Sequence, residues 1–417
     1  SQPAPLPSSR TRASRMRLPV FTPNSRAASA PAPLAAALAA LLVFSPIQQT
    51  FSPLRVPAAH AKELASGSGS KVNKDPRSLL RLGLPGQPKE VRELQANMEE
   101  AQDQISRLLF GKSGDALDKA RGVIKGKSDK MLAAVPAADK ETGKALLESM
   151  DANLLKFRVQ LGAGSGSGAT ENGVAALDDL SKFEGLIAAT AKPLPVPSEF
   201  NNIPQLNKRA TVEFVIKKEG SAQFDIDGNL FKEARLTMII DGYTAPVTAG
   251  NFVDLVQRGY YNGMHIQRSD GFVVQMGDPS KESGGQEKIN GFVPAGADKV
   301  RTIPLEVLVK GDKAPIYGST FDDDGRGGFA AELPFNAYGA LGMAREEYSA
   351  DSASSQFFWL LFDSDLTPAG KNLLDGRYSC FGYAIDGARF LSDIKEGDII
   401  VSAKVLEGGE NLMPPKA

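Results

Sequence analysis

The hydrophobic period of this chain changes once, at a proline-rich connector, and that change excludes any fold built from one kind of element. From about residue 88 to 191 apolar side chains recur at helical steps, whereas from about 208 they alternate as strands do. Between them lies PLPVPSEFNNIP, residues 193–204, short of backbone donors and a natural boundary. A length of 417 residues allows two or three domains. The expected architecture is multidomain α + β: a helical bundle over residues 75–191, a Pro-rich linker over 192–207 and a β domain over 208–417.

The helical half reads as four stripes. Val91, Leu94, Met98, Ile105, Leu108 and Leu109 form the first, which Gly111 and Gly114 are expected to end, with Asp115 placed to cap the next helix. Leu117, Val123, Ile124, Met131 and Val135 form the second, broken by Pro136; Leu146, Leu147, Met150, Leu154 and Leu155 form the third. The glycine-rich stretch 162–168 reads as a loop, and Val174, Leu177, Leu180, Phe183, Leu186 and Ile187 follow it. Such stripes predict an up-and-down bundle with a packed core, serving as a docking module or a cover for the next domain.

Residues 1–61 read as an address. They contain no Asp or Glu but carry Arg10, Arg12, Arg15, Arg17 and Arg26 among Ser, Pro and Ala, which is transit-peptide composition. The apolar run Leu34–Phe44 would reach only about 16 Å as a helix against a bilayer core of about 30 Å. Ala59-His60-Ala61 then supplies a small-x-small cleavage site. Two signals in tandem imply two membranes crossed in succession, stroma and then chloroplast thylakoid lumen. Charge and scarce residue types narrow the chemistry further. Lys plus Arg number 48 against 49 Asp plus Glu, so a nucleic-acid partner is not expected. One cysteine, Cys380, excludes an internal disulfide, and two histidines, His60 and His265, argue against a metal site.

The β half carries an ordered set of motifs. Ala245-Pro246-Val247-Thr248-Ala249-Gly250-Asn251-Phe252 opens a helix running to Gln257. Gly271-Phe272-Val273-Val274-Gln275-Met276-Gly277-Asp278-Pro279, Gly342-Met343-Ala344, Ser355-Gln356-Phe357-Phe358 and Leu374-Asp375-Gly376-Arg377-Tyr378-Ser379-Cys380-Phe381-Gly382 follow in order. DIDGN at 225–229 reads as a turn, because its glycine falls too early for an EF-hand loop. The set resembles the cyclophilins, eight-stranded antiparallel β-barrels with flanking helices and peptidyl-prolyl cis-trans isomerase activity. The layout of transit peptide, helical domain and C-terminal barrel is similar to the thylakoid-lumen branch of that family in plants and algae. That resemblance implies a role in photosystem II assembly, with proline-containing segments of lumenal or thylakoid membrane proteins, photosystem II subunits among them, as partners. It also implies contact between the helical and barrel domains.

Rotation about an X-Pro bond is slow because amide resonance sets a barrier near 18–20 kcal/mol. A catalyst must bind the twisted amide better than the planar one, and a donor aimed at the pyramidal prolyl nitrogen does so. No metal, cofactor or covalent nucleophile is required. By resemblance, Phe272 and Phe358 are pocket walls joined by Val273, Ala344 and Leu374, with Gln275 and Gln356 orienting the peptide. In the family an Arg donor stands five residues before the Phe, which is Gln267 here, whereas Arg268 stands four before. A one-residue shift turns a strand side chain to the other face. A turn shortened by one residue is therefore expected to return Arg268 to the site; otherwise Arg268 is a solvated surface charge. Leu373 replaces the family's Trp, and Tyr378 replaces its pocket His, from which it can still donate at the rim. Arg345 would bring charge to the cleft, with Glu346 and Glu347 expected to neutralise it. His265 is expected in the barrel or a turn, Trp359 in packing and Cys380 as a core thiol. Two functions follow: a working isomerase, or a catalytically weak or inactive cyclophilin-fold scaffold or chaperone whose helical domain covers the cleft.

Overall fold

The computed structural model describes residues 72–279, 291–362 and 372–416, so the expected transit peptide lies outside the described residues. The helical part begins with a short helix that the apolar spacing did not announce, α1 (Pro76–Leu82). Pro76 takes its first position and the Asp75 carboxylate accepts from the Arg77 and Ser78 amides. Four longer helices follow: α2 (Lys89–Ser106), α3 (Phe110–Ala133), α4 (Lys140–Gly162) and α5 (Gly166–Ala188). Helix α3 starts earlier than the glycines suggested. Gly111 and Gly114 lie inside its first turns, and Asp115 is not a cap. The Arg158 guanidinium of α4 lies beside Gly114, at ordinary contact distance from where a Cβ would stand. The loop expected at 162–168 shrinks to three residues, since Ser165 caps α5 by accepting from the Gly168 amide. Most of the stripes close on one apolar core in which Leu94, Leu117, Met131, Met150, Leu180 and Phe183 are fully buried, but Leu108 and Leu109, past the end of α2, and Leu155 and Val174 are exposed and lie outside it.

The expected linker already joins the β part, since a two-residue strand, Gln205–Leu206, pairs with Leu412–Met413. The main sheet and its neighbour hairpin then begin with β1 (Arg209–Lys217), the hairpin of β2 (Phe224–Ile226) and β3 (Asn229–Phe231), and β4 (Ala234–Asp241). The short strands β5 (Arg268–Ser269), β6 (Val273–Met276), β7 (Ala340–Met343) and β8 (Phe357–Leu360) come next. Two longer ones, β9 (Cys380–Asp386) and β10 (Ile399–Glu407), complete the set. Eight of these form one antiparallel sheet, in the order β10-β1-β4-β9-β7-β8-β6-β5. Backbone bonds between residues 263–266 and 397–400 join the two ends, among them Gly263 N–H to the Ile400 carbonyl at 2.7 Å and Ile266 N–H to the Asp398 carbonyl at 2.7 Å. The sheet is thus curled shut. Alternation decides which side chains enter it: Ala210, Val212, Phe214 and Ile216 of β1, with Leu236, Met238 and Ile240 of β4, point inward. Phe214 lies at the centre, with Phe252, Tyr261, Phe357 and Trp359 around it at 5.7–6.1 Å.

Phe252 comes from α6 (Pro246–Gln257), whose first turn is held by a buried carboxylate. Glu306 accepts from the Val247 and Thr248 amides at 3.2 and 2.8 Å and from the Tyr317 hydroxyl at 2.9 Å. The DIDGN stretch is the hairpin turn between β2 and β3, with Asp227 and Gly228 at φ 53° and 80°. Two successive positive φ values are the two-residue turn that twists with its strands.

Helix α1 lies between the bundle and the barrel. Its Arg81 donates to Glu99 of α2 at 2.9 Å and to Ser181 of α5 at 3.3 Å. On the other side Leu79 and Leu80 join an apolar cluster with Leu333, Phe335 and Tyr383, and Arg209 of β1 donates to the Leu80 carbonyl at 2.7 Å. Burying two leucines in this way contributes about 1.5–3 kcal/mol each.

Candidate active site

One row of residues crosses the outer face of the sheet. The ladder sets Arg268 of β5 opposite Gln275 of β6, Gln275 opposite Phe358 of β8, Phe358 opposite Gly342 of β7, and Gly342 opposite Cys380 of β9. Directly opposed residues share a face, so Arg268, Gln275 and Phe358 stand side by side. Gln267 faces the other way; it is buried and donates to the Asp278 carbonyl at 2.7 Å. The spacing irregularity is therefore absorbed in the turn, and Arg268, not Gln267, reaches this face.

Phe358 fits into the row because its neighbour has no side chain. A Cβ on Gly342 would lie 2.1 Å from the Phe358 ring. Around Phe358, Phe335 stacks at 6.0 Å and Tyr378 stands edge-on at 5.8 Å. Phe272, Val273, Ala344, Leu374 and Tyr378 share its apolar cluster. Phe272 also packs on Phe362 at 5.2 Å. The polar border is a pair of amides, the Gln275 Nε2 donating to Gln356 Oε1 at 3.0 Å, while Gln356 gives its carbonyl to the Ala344 amide at 3.0 Å. The nine residues singled out from sequence thus come together. Leu373, at the position of the family's Trp, is 68% exposed and fills nothing.

Asp270 escaped the sequence reading. Its Oδ1 accepts from the Phe272 and Val273 amides at 2.9 and 3.0 Å, and its Oδ2 accepts from Arg268 Nε at 2.6 Å and Nη2 at 2.5 Å. Burial works to raise this carboxyl, but the two amides and the guanidinium outweigh it and hold Asp270 below the ordinary carboxylate range. One residue therefore shapes the turn and fixes Arg268. An Asp-Gly pair before an apolar run was the available signal.

The remaining residues settle around this site. Trp359 and Cys380 are buried, the indole donating to the Met238 sulfur at 3.1 Å, and burial pushes the Cys380 thiol up, away from reactivity. His265 pairs with Ile399 at the seam of the barrel. Arg345 differs from expectation, since backbone carbonyls, and not the Glu346 and Glu347 carboxylates, hold it.

A closed antiparallel barrel with an aromatic slot, a glutamine pair and an arginine on one face defines a cyclophilin-type fold and site. The family model for cyclophilin type peptidyl-prolyl cis-trans isomerases matches residues 222–408. The model for the PsbQ-like domain of CYP38-like peptidyl-prolyl cis-trans isomerases matches residues 75–186. The chloroplastic peptidyl-prolyl cis-trans isomerase CYP38 of Arabidopsis thaliana is 40% identical over 351 residues, 82% of this chain and 76% of the relative. A candidate thylakoid lumen peptidyl-prolyl cis-trans isomerase of Synechocystis is 42% identical over 344 residues, 81% of this chain and 84% of the relative. The chloroplastic CYP37 of Arabidopsis thaliana is 32% identical over 371 residues, 83% and 72% of the two chains. The chain belongs to the cyclophilin family of peptidyl-prolyl cis-trans isomerases, and within it to the CYP38 type.

Proposed function

We propose that this isomerase works in the chloroplast thylakoid lumen on proline-containing segments of lumenal or thylakoid membrane proteins, photosystem II subunits among them, and so assists their assembly. The acid-free, Arg-rich residues 1–61 and the chloroplastic and thylakoid-lumen names of the relatives support the location. In the site, the proline ring lies against Phe358 with Phe272, Val273, Ala344, Leu374 and Tyr378 as walls. Gln275 and Gln356 hold the peptide backbone, and Arg268 donates to the prolyl nitrogen. That nitrogen acquires a lone pair only as the amide twists, so the bond forms in the transition state and not in the ground state.

The observation that carries this reading is the shared sheet face of Arg268, Gln275 and Phe358. Isomerisation of a proline tetrapeptide by the full chain, followed by NMR exchange, tests it. Turnover that disappears in Phe358→Ala is expected, and turnover that survives this change refutes the pocket assignment. Import into isolated chloroplasts followed by fractionation tests the location, with recovery in the stroma as the contrary result. Co-purification with photosystem II subunits during their assembly tests the partner.

The second reading, a weak or covered site, draws on Leu79 and Leu80, which lie in the same apolar cluster as Phe358. If the helical part restrains the cleft, Leu79→Asp with Leu80→Asp raises turnover several-fold. Unchanged turnover in a variant that keeps its fold removes this reading.

A further inference from the structure

Arginines on the barrel mostly meet carboxylates. Arg268 meets Asp270, Arg301 meets Asp254, Arg377 meets Asp322 and Arg209 meets Asp241. Arg345 does not. Its Nε donates to the Arg377 carbonyl at 3.0 Å, and its Nη1 donates to the carbonyls of Glu346 at 2.8 Å and Glu347 at 3.0 Å. Its guanidinium carbon stands 5.0 Å from the centre of the Tyr378 ring, the same ring that meets Phe358 edge-on. The side chain is thus locked in place by three carbonyls and an aromatic face, with its positive charge uncompensated by any carboxylate among the described residues. It follows Ala344 directly in sequence, so the cation sits on the rim of the proline slot. A guanidinium fixed in this way loses little freedom on meeting a carboxylate, and an aromatic face on one side leaves it weakly hydrated.

We infer that Arg345 makes this isomerase selective for proline segments that carry an Asp or Glu next to the proline. The inference rests on the proposed pocket and deepens it by naming a substrate class. The carboxylate binds at the Arg345 guanidinium while the ring occupies the slot against Phe358. Charge complementarity of this kind sets partner choice more than overall affinity, and it weakens as salt screens it.

The test uses the full chain and a set of tetrapeptides with Glu, Gln or Lys immediately before or immediately after the proline. Isomerisation is followed by NMR exchange, and binding is followed by shift changes in labelled protein. In one of the two positions the wild-type kcat/KM is expected to favour Glu over Gln by about five-fold, the upper end for a partly exposed charge pair. Lys is expected to rank below Gln, and the preference should shrink at high salt. In Arg345→Gln the Glu and Gln peptides should be handled alike, while Arg345→Lys should keep part of the preference; thermal melting checks that each variant is folded. Equal handling of Glu and Gln by wild type, or a preference that survives in Arg345→Gln, overturns the inference. Absence of turnover for every peptide counts against the isomerase reading instead, and the binding ratio of the same peptides then decides the role of Arg345.

Discussion

The bundle and the barrel surround a buried carboxylate with different partners. Glu306 of the barrel is fully enclosed, but two helix amides and a tyrosine hydroxyl meet it, and it anchors α6 under the site. Glu184 of the bundle is equally enclosed, yet among the described residues neither of its oxygens has a hydrogen-bond partner, and the Arg92 guanidinium is 3.6 Å away. Burial pushes Glu184 up to about 8, against the pull of Arg92 and Arg81. Burial raises both carboxyls, but at Glu306 hydrogen bonds from helix amides and a tyrosine oppose it, whereas at Glu184 only guanidinium charges do. The barrel is thus organised for positional accuracy, and the bundle tolerates a polar group held in its neutral form.

The largest test of this contrast removes a central side chain from each core. Phe214→Ala is expected to cost the barrel about 3–5 kcal/mol and to abolish isomerisation. Leu94→Ala is expected to cost the bundle about 2–5 kcal/mol while isomerisation continues. Urea unfolding combined with the exchange assay reads both, and loss of catalysis in Leu94→Ala would show that the two regions are not independent.

Next in size is the response of Glu184 to pH. Its folded value is raised above the ordinary 4.5, so between about pH 4.5 and 8 the folded chain keeps a proton that the unfolded chain has lost. Stability from this group is complete at low pH, falls as pH rises and levels off above about 8. The loss amounts to a few kcal/mol, at about 1.4 kcal/mol for each tenfold difference in proton affinity between the two states. Urea midpoints between pH 5 and 9 should fall with rising pH in wild type and fall less steeply in Glu184→Gln, the buried Glu306 and Glu332 carboxyls, raised as well, supplying the remainder. A slope unaltered by the substitution would place the titration elsewhere.

Smaller effects belong to the site. Gly342→Ala forces a methyl against the Phe358 ring and is expected to cost about 1–3 kcal/mol, read by melting, with weaker peptide binding. Asp270→Asn keeps an acceptor for the Phe272 and Val273 amides but removes the charge that fixes Arg268. Stability should hardly change, and kcat should drop a few-fold, on the order of a partly exposed ion pair. An unchanged kcat would mean that Arg268 needs no such anchor.

The sequence displayed the two halves unequally. Helical spacing located α2, α3, α4 and α5 because each buries one continuous stripe, but α1 is a single short stretch whose leucines pack on the barrel, so no period reveals it. Gly111 and Gly114 misled because glycine inside a helix costs only about 1 kcal/mol relative to alanine, which the packing of α3 outweighs. In the barrel, the gathering of Phe272, Gln275, Gln356 and Phe358 was legible from motif order. The facing of Arg268 was not, because it depends on the register of a two-residue strand that only the folded ladder fixes. Nor could a sequence show that Glu346 and Glu347 lend Arg345 their carbonyls in place of their carboxylates.

Side-by-side measurement of kcat/KM for Arg268→Ala and Gln267→Ala, with both variants shown to be folded, addresses the assignment on which the rest depends. Removal of an aimed donor costs roughly 10²–10³-fold in comparable sites. A loss of that size confined to Arg268→Ala is the expected result, with Gln267→Ala affecting stability more than turnover. Full turnover in Arg268→Ala, with the loss falling on Gln267→Ala instead, would contradict the donor role given to Arg268.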